Sequence, residues 1–183
     1  MKLNLGAGNN SKQGFINVDK FGNPDVKHDL EQFPWPWDDN SVDEILMNHV
    51  LEHLGESLDI FIGILKELYR VCKGGAKITI VVPHPRHDDF LTDPTHVRVI
   101  IPNMFHLFSK KMNQRFVEAK VANSTLGFYH DIDFLVMDAK LALDSPWKEM
   151  FNSGQISVDE LNKAVKKYNN VIKETEIILE VVK

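Results

Sequence analysis

Gly6, Ala7 and Gly8 follow a short apolar segment near the start of the chain, at a point where a strand would end. Glycines at such a turn let the backbone bend sharply and approach a ligand with no side chain between them. Taken alone, the pattern fits a tight structural turn equally well. Ser11 stands where the dinucleotide fingerprint has its third glycine, so the turn does not predict a pyrophosphate site.

Two aspartates stand at the ends of the next two predicted strands, Asp19 after residues 15–18 and Asp29 after residues 25–28. In nucleotide-binding α/β folds, an acidic side chain in the first of these places accepts hydrogen bonds from ribose hydroxyls. Either aspartate alone fits a solvated loop carboxylate, but the ordered pair favours an adenosine-shaped ligand. Only ten residues separate Leu5 from Ile16, which is short for a parallel crossover. We therefore predict a shortened first helix and a ligand without phosphates.

The segments that must position these residues alternate between strands and helices. An amphipathic helix is predicted over residues 56–72, ended by Gly74 and Gly75, and a capping box of Ser157 with Glu160 predicts a helix to about residue 169. A further helix is predicted over residues 102–112. Strands are predicted over residues 2–5, 15–18, 25–28, 42–47, 76–82, 114–123, 132–143 and 175–182. The alternation predicts an α/β fold with a Rossmann-like, mostly parallel, seven-stranded-type sheet flanked by helices.

The bulk composition limits the partners. The chain has 183 residues and a net charge of −5, so we expect one domain over 1–183, with a cofactor-binding half at 1–82 and substrate-side elements at 83–183. The acidic balance disfavours nucleic acid and anionic membranes.

Cys72 is the only cysteine, which is typical of a reducing compartment. No signal peptide or membrane span is apparent, so we expect a cytoplasmic protein. The oligomeric state stays open, with a homodimer as one alternative.

Six segments, in order, resemble the motifs of class I S-adenosylmethionine-dependent methyltransferases, in the broad group that includes the ubiquinone-biosynthesis type. The match runs over residues 3–85, nearly half of the chain, and each motif alone is modest. The segments are residues 3–8 (LNLGAG), 17–19 (NVD), 28–30 (HDL), 33–43 (FPWPWDDNSVD), 48–54 (NHVLEHL) and 65–75 (LKELYRVCKGG).

The resemblance implies S-adenosyl-L-methionine as the cofactor and assigns its binding residues. The glycine turn would pass beneath the methionine part, Asp19 would hold the ribose, and Asp29 with Leu30 would flank the adenine. Asn48 and His49 would line the pocket near the sulfonium. The complete predicted cofactor set is Leu5, Gly6, Ala7, Gly8, Asn10, Asp19, Lys20, Asp29, Leu30, Asn48, His49 and His53.

The polar segment 83–98 is the predicted acceptor side, because loops after strand carboxyl ends bind ligands in this architecture. Similar D-P-x-H-x-R sequences in bacterial relatives point to Asp93, His96 and Arg98, and His84 joins them as a catalytic candidate. A histidine here could act as a general base, and the arginine could bind an anionic acceptor. A loop held together by its own Asp–Arg and Asp–His bonds explains the composition equally well.

The same segment contains residue types that bind transition metals, namely His84, His87, Asp88, Asp93 and His96. Their spacing matches no defined zinc pattern, so no metal site is predicted.

The leading hypothesis is therefore a methyltransferase, a transferase acting on a small-molecule or glycan-type acceptor. Two alternatives stay open: a catalytically silent cofactor-binding module in an assembly, and a metal-dependent hydrolase that uses the histidines of residues 83–98. A nicotinamide-dependent oxidoreductase ranks last, because the third glycine and a full first helix are missing.

Overall fold

A single seven-stranded sheet runs through the computed structural model, which describes all 183 residues. Its strands are β1 Lys2–Leu5, β2 Ile16–Asp19, β3 Val26–Lys27, β4 Val42–Asn48, β5 Cys72–Pro83, β6 Phe134–Leu143 and β7 Ile172–Val181. They lie in the order β3-β2-β1-β4-β5-β7-β6. The first five strands are parallel, and β7 pairs antiparallel with both β5 and β6. The predicted Rossmann-like, mostly parallel sheet is confirmed.

Seven α-helices accompany the sheet: α1 Leu58–Val71, α2 Asp88–Leu91, α3 Pro102–Phe105, α4 Lys110–Glu118, α5 Leu126–His130, α6 Trp147–Asn152 and α7 Val158–Lys167. Two 3-10 turns cover Leu51–His53 and His106–Phe108. The capping box at Ser157 and Glu160 is present at the start of α7. The connection between β1 and β2 holds no helix, so the first helix is absent rather than shortened.

Two local predictions are wrong. Residues 114–118 of the predicted strand 114–123 belong to the helix α4, because Ser109 caps its first turn and the buried Asn113 amide donates to two preceding carbonyls. The β-branched Val117 and Val121 are exposed. The predicted glycine stop of α1 also fails: the helix ends at Val71, and Cys72 already begins β5 by pairing with Val42.

The core lies between the sheet and α1. Strand residues such as Leu3, Ile45 and Ile78 are fully buried, as are Ile64 and Leu68 of the helix. Burial of this apolar area supplies the main stabilisation of the fold. It also fixes the strands in register, so that the carboxyl ends of β1 to β4 meet at one edge.

The connection between β3 and β4 is tied to α1 by an ion pair. Arg70 donates from Nε and a terminal nitrogen to the Glu67 carboxylate at 2.9 and 2.7 Å, and also donates to the carbonyls of Trp35 and Trp37. The Trp35 N–H donates to Glu67 at 2.6 Å. Burial opposes ionisation of Glu67, but the bonds from Arg70 and Trp35 outweigh it and lower the pKa of this carboxyl. The pair thus stabilises the fold in its charged form.

Glu67→Gln is expected to destabilise the protein by about 2 kcal/mol at pH 7, because hydrogen bonds to a charged, mostly buried group are lost. The lowered folded-state pKa means that this contribution is complete above the ordinary value of 4.5 and disappears as the pH falls through the folded-state pKa. Urea unfolding at pH 7 and in acid measures the difference in the free energy of unfolding between the variant and wild type. Glu56→Gln, which changes an exposed carboxyl, is the control. A difference that stays constant with pH would contradict this account.

Candidate functional site

A pocket that encloses about 610 Å³, including space open to solvent, lies at the carboxyl ends of β1, β2, β3 and β4. Its wall contains a large part of the predicted cofactor set: Gly6, Asp19, Lys20, Asp29, Leu30, His49 and His53. The parallel strand pairing explains this gathering, because all four strands end at the same edge of the sheet.

Gly6 directly follows β1 and lies in the wall of the pocket. Its φ of +66° is favourable only for glycine, and a Cβ would lie 2.7 Å from Cγ1 of Val50 and closer still to Cγ2. Gly8 also has a positive φ, +49°, but its missing side chain would point into open space. The turn therefore needs glycine at residue 6 for space as well as for conformation.

Asp19 is held rigidly at the end of β2. One carboxylate oxygen accepts from the Gly8 N–H and the other from the Phe21 N–H, both at 2.8 Å. Each carboxylate oxygen has a second lone pair, so the group can still accept hydrogen bonds from a ligand. The same aspartate thus links the glycine turn to the next loop and presents acceptors to the pocket.

Asp29 and Leu30 also line the pocket. Asp29 accepts from the Glu31 N–H at 3.1 Å and lies 3.8 Å from the ammonium of Lys20. Leu30 is buried, and its carbonyl accepts from the Trp35 indole N–H at 3.0 Å. An apolar side chain beside a carboxylate suits a flat, partly polar ring such as adenine.

His49 stands at the end of β4 in a strained backbone conformation, with a φ of +54°. Its N–H donates to the Val81 carbonyl. Its Nε2 lies 3.0 Å from Glu174, and its Nδ1 lies 3.4 Å from Glu52. Glu52 first, and then Glu174, raise the pKa of His49 against the opposing effect of burial. This places a histidine with two carboxylate neighbours at the rim of the pocket.

The predicted acceptor residues do not form one cluster. His53 Nδ1 lies 2.8 Å from the Thr95 hydroxyl, which donates to Asp93 at 2.6 Å, and these bonds from Thr95 lower the pKa of Asp93. His96 bonds through Nδ1 to the Phe90 carbonyl at 2.9 Å and packs edge-on against His53. Asp93 and His96 therefore come together beside a cofactor-pocket residue.

Arg98 and His84 lie in other surroundings. The Arg98 guanidinium packs over the Phe61 ring at 4.2 Å and donates to the Gly55 carbonyl at 2.6 Å. These contacts hold the loop, and a bidentate acceptor contact by Arg98 stays a prediction. His84 accepts from the Arg86 N–H at 3.3 Å, and burial together with Arg86 lowers its pKa.

Comparison with known families and structures bears on this site. Residues 7–80 match the family model described as "Methyltransferase domain". This part of the chain is therefore similar to methyltransferase domains. No curated protein matches the sequence of the chain.

Three solved structures share the fold of this chain. A SAM-dependent methyltransferase from Archaeoglobus fulgidus has 19% identity and a TM-score of 0.60, covering 98% of this chain and 85% of its own. The YcgJ protein of Bacillus subtilis has 14% identity and a TM-score of 0.54, covering 100% and 91%. The Burkholderia thailandensis 1,6-didemethyltoxoflavin-N1-methyltransferase, solved with its substrate and S-adenosylhomocysteine, has 11% identity and a TM-score of 0.51, covering 100% and 71%.

The residues of the methyltransferase pocket fit S-adenosylmethionine. The absent Cβ of Gly6 leaves backbone accessible, and Asp19 has spare acceptor lone pairs. His28 adds a buried Nε2 without a hydrogen-bond partner in the pocket wall. A ligand with ribose hydroxyls and a polar ring edge supplies partners for these groups.

The rest of the predicted cofactor set lies elsewhere. Leu5 is fully buried, Gly8 lies outside the wall of this pocket, and Ala7, Asn10 and Asn48 face a neighbouring depression that also touches Gly6. Their contact with the cofactor stays a prediction. Sequence reasoning missed four wall residues of the methyltransferase: Phe21, His28, Val50 and Leu54. Phe21 lies two residues after Asp19 and His28 directly precedes Asp29, so a wider window around these two aspartates would have included them.

None of the methyltransferase's helices combines the length and the apolar character required to cross a bilayer.

Proposed function

We propose that this methyltransferase transfers a methyl group from S-adenosylmethionine to a small-molecule or glycan-type acceptor. One observation carries the proposal: the pocket joins the glycine turn, Asp19, Asp29 and His49 at the strand ends, directly beside the segment 84–98. Cofactor and acceptor must meet at such an edge. The Burkholderia enzyme of the same fold, which by its name methylates a small heterocycle, supports an acceptor of this size.

In the proposed binding mode, Asp19 accepts hydrogen bonds from the ribose hydroxyls. Asp29 accepts from the exocyclic amine of adenine, and Leu30 packs against the ring. Gly6 lies beneath the methionine part, where its backbone approaches closely because no side chain intervenes. Lys20 and His53 complete the wall.

The bound cofactor supplies an already activated methyl group on a sulfonium. The task left to the chain is positioning, which by itself lowers a bimolecular barrier substantially. The rigid anchoring of Asp19 by two backbone N–H groups fixes one side of the pocket before any ligand arrives. On the acceptor side, Asp93, His96, Arg98 and His84 are the proposed residues, and the network through Thr95 holds Asp93 in place.

Incubation with methyl-labelled S-adenosylmethionine and panels of small-molecule and glycan acceptors tests this function. We expect label to pass to at least one acceptor with wild-type protein and at a much lower rate with Asp19→Ala. Cofactor binding without transfer to any acceptor would favour the catalytically silent module instead. Label transfer only to a nucleic acid or protein would contradict the proposed acceptor class.

A further inference from the structure

The 3-10 turn that follows β4 brings the side chains of Glu52 and His53 close to residues 93–98. The N–H groups of Val97 and Arg98 both donate to the Glu52 carbonyl, at 2.9 and 3.2 Å. This backbone pairing places Glu52, His53 and His96 around one point. Each offers one ligand atom, and these atoms all lie within 4.8 Å of one another.

Glu52 is the unusual member of the cluster. Its side chain is 1% exposed, and neither carboxylate oxygen has a hydrogen-bond partner. The nearest cationic group is His49, whose Nδ1 lies 3.4 Å from Oε1. Buried carboxylates are normally hydrogen-bonded, ion-paired or bound to a metal, because an unpartnered one costs several kcal/mol. Glu52 thus has one imidazole at ion-pair distance but no hydrogen bond to either oxygen. Because ligand atoms of His53 and His96 lie within 4.8 Å of a Glu52 oxygen, the arrangement points to a cation among the three side chains.

Both histidines are oriented for the same task. The Thr95 hydroxyl donates its only proton to Asp93, so it must accept from His53 Nδ1–H. The Phe90 carbonyl can only accept, so His96 Nδ1 also carries its proton. In each ring this leaves the Nε2 lone pair free. A histidine that binds a metal commonly donates from one ring nitrogen to a hydrogen-bond acceptor, and the other nitrogen stays free to bind the ion.

The His96 ring is also fixed by packing. Phe90 stacks on this ring with 5.3 Å between the ring centroids. The His96 side chain is 8% exposed. Asp93 Oδ2 lies 3.9 Å from His96 Nε2 and is the nearest additional oxygen donor. The histidine and carboxylate set is thus organised without any of His84, His87 or Asp88, the other ligand types in the segment.

We propose that Glu52, His53 and His96 bind one divalent transition metal ion of the Zn²⁺ class, through a Glu52 oxygen and the two Nε2 atoms. Two histidines and one carboxylate form a known set for such ions, with further coordination positions open to water or to an oxygen ligand. His53 also lines the cofactor pocket, so the ion would lie at its rim. His96 is then a ligand, since its single free lone pair cannot also act as a base.

Calorimetric titration of metal-stripped protein with zinc chloride tests the site, without S-adenosylmethionine and without a polyhistidine tag. We expect wild type to bind one ion, and Glu52→Gln and His53→Gln each to weaken binding at least tenfold. His84→Gln, a histidine of the neighbouring segment outside the cluster, should bind as wild type does. Saturating zinc should also raise the Tm of wild type and of His84→Gln, because the ion binds the folded state.

His53 is only partly buried, so His53→Gln keeps the test decisive if Glu52→Gln fails to fold. No zinc uptake by wild type would overturn the proposal, and so would wild-type affinity in His53→Gln. Loss of binding in His84→Gln alone would move the site to the histidines of residues 84–87 and overturn it equally. Because no cofactor is present, failure here leaves the proposed methyl transfer untouched.

Discussion

Asp19→Ala is expected to lower the affinity of the methyltransferase for S-adenosylhomocysteine by about 10- to 100-fold, the loss that follows when hydrogen bonds to a charged acceptor disappear. The carboxylate is the proposed acceptor for both ribose hydroxyls. It also positions the Gly8 and Phe21 N–H groups at 2.8 Å, so its removal loosens the glycine turn and the rim of the pocket together. Isothermal titration calorimetry measures the change.

Two further variants separate binding from general damage. Asp19→Asn keeps one acceptor oxygen without the charge and should fall between wild type and Asp19→Ala. Asp159→Ala removes an exposed carboxyl from the first turn of α7 and should leave the affinity unchanged. Wild-type affinity in Asp19→Ala would refute the assigned role of this residue.

Gly6→Ala is expected to destabilise the fold by about 2–5 kcal/mol, the sum of a left-handed backbone penalty and an overpacked contact. The new methyl group would meet both methyls of Val50, which is buried in the pocket wall. The Val50 backbone belongs to the turn after β4 and cannot withdraw without moving the Leu51–His53 segment. Urea unfolding followed by circular dichroism gives the free energy of unfolding.

The matched control for Gly6 is Gly154→Ala, which has a similar φ of +73° but no atom within 4 Å of the new methyl. It should show the backbone penalty alone, about 1–2 kcal/mol. The double variant Gly6→Ala with Val50→Ala should lose less than the two single losses added together, because the clash is relieved. Equal losses for Gly6→Ala and Gly154→Ala would show that the contact with Val50 is unimportant.

The first half of the fold was predictable because its signals are local. Strand β1 is found at its predicted bounds, and α1 and β4 lie within two residues of theirs. The helix between β1 and β2 could be judged short from ten residues of chain, but its complete absence depends on the hydrogen bonds of Asn4 and Asn17 with the connecting loop. Those bonds hold the connecting loop without a helix, and no periodic sequence pattern predicts them.

The second half depends more on tertiary contacts. Helix α4 contains the β-branched Val117, a residue type that favours strands, yet Ser109 and the buried Asn113 determine its conformation. Strand propensity on an exposed surface is weak against such caps. Gly74 and Gly75 follow a helix in the sequence, but pairing of Cys72 with Val42 begins the next strand first.

That Asp19 and Asp29 lie in the wall of one pocket was predictable, because each is an acidic residue that follows a predicted strand. The role of Glu52 was not, because it depends on an approach of residues 96–98, more than forty positions away in the chain. A glutamate between a leucine and a histidine gives no sign of being fully buried. Only the folded chain shows that its carboxylate has no hydrogen-bond partner.

The central claim is that this pocket binds S-adenosylmethionine, and a thermal-shift titration tests it most directly. A ligand that binds only the folded state raises the Tm by mass action. We predict that S-adenosylmethionine and S-adenosylhomocysteine raise the Tm in a saturable way, while NAD has no effect. A Tm that responds to neither of the first two ligands, or that responds to NAD alone, would contradict the account.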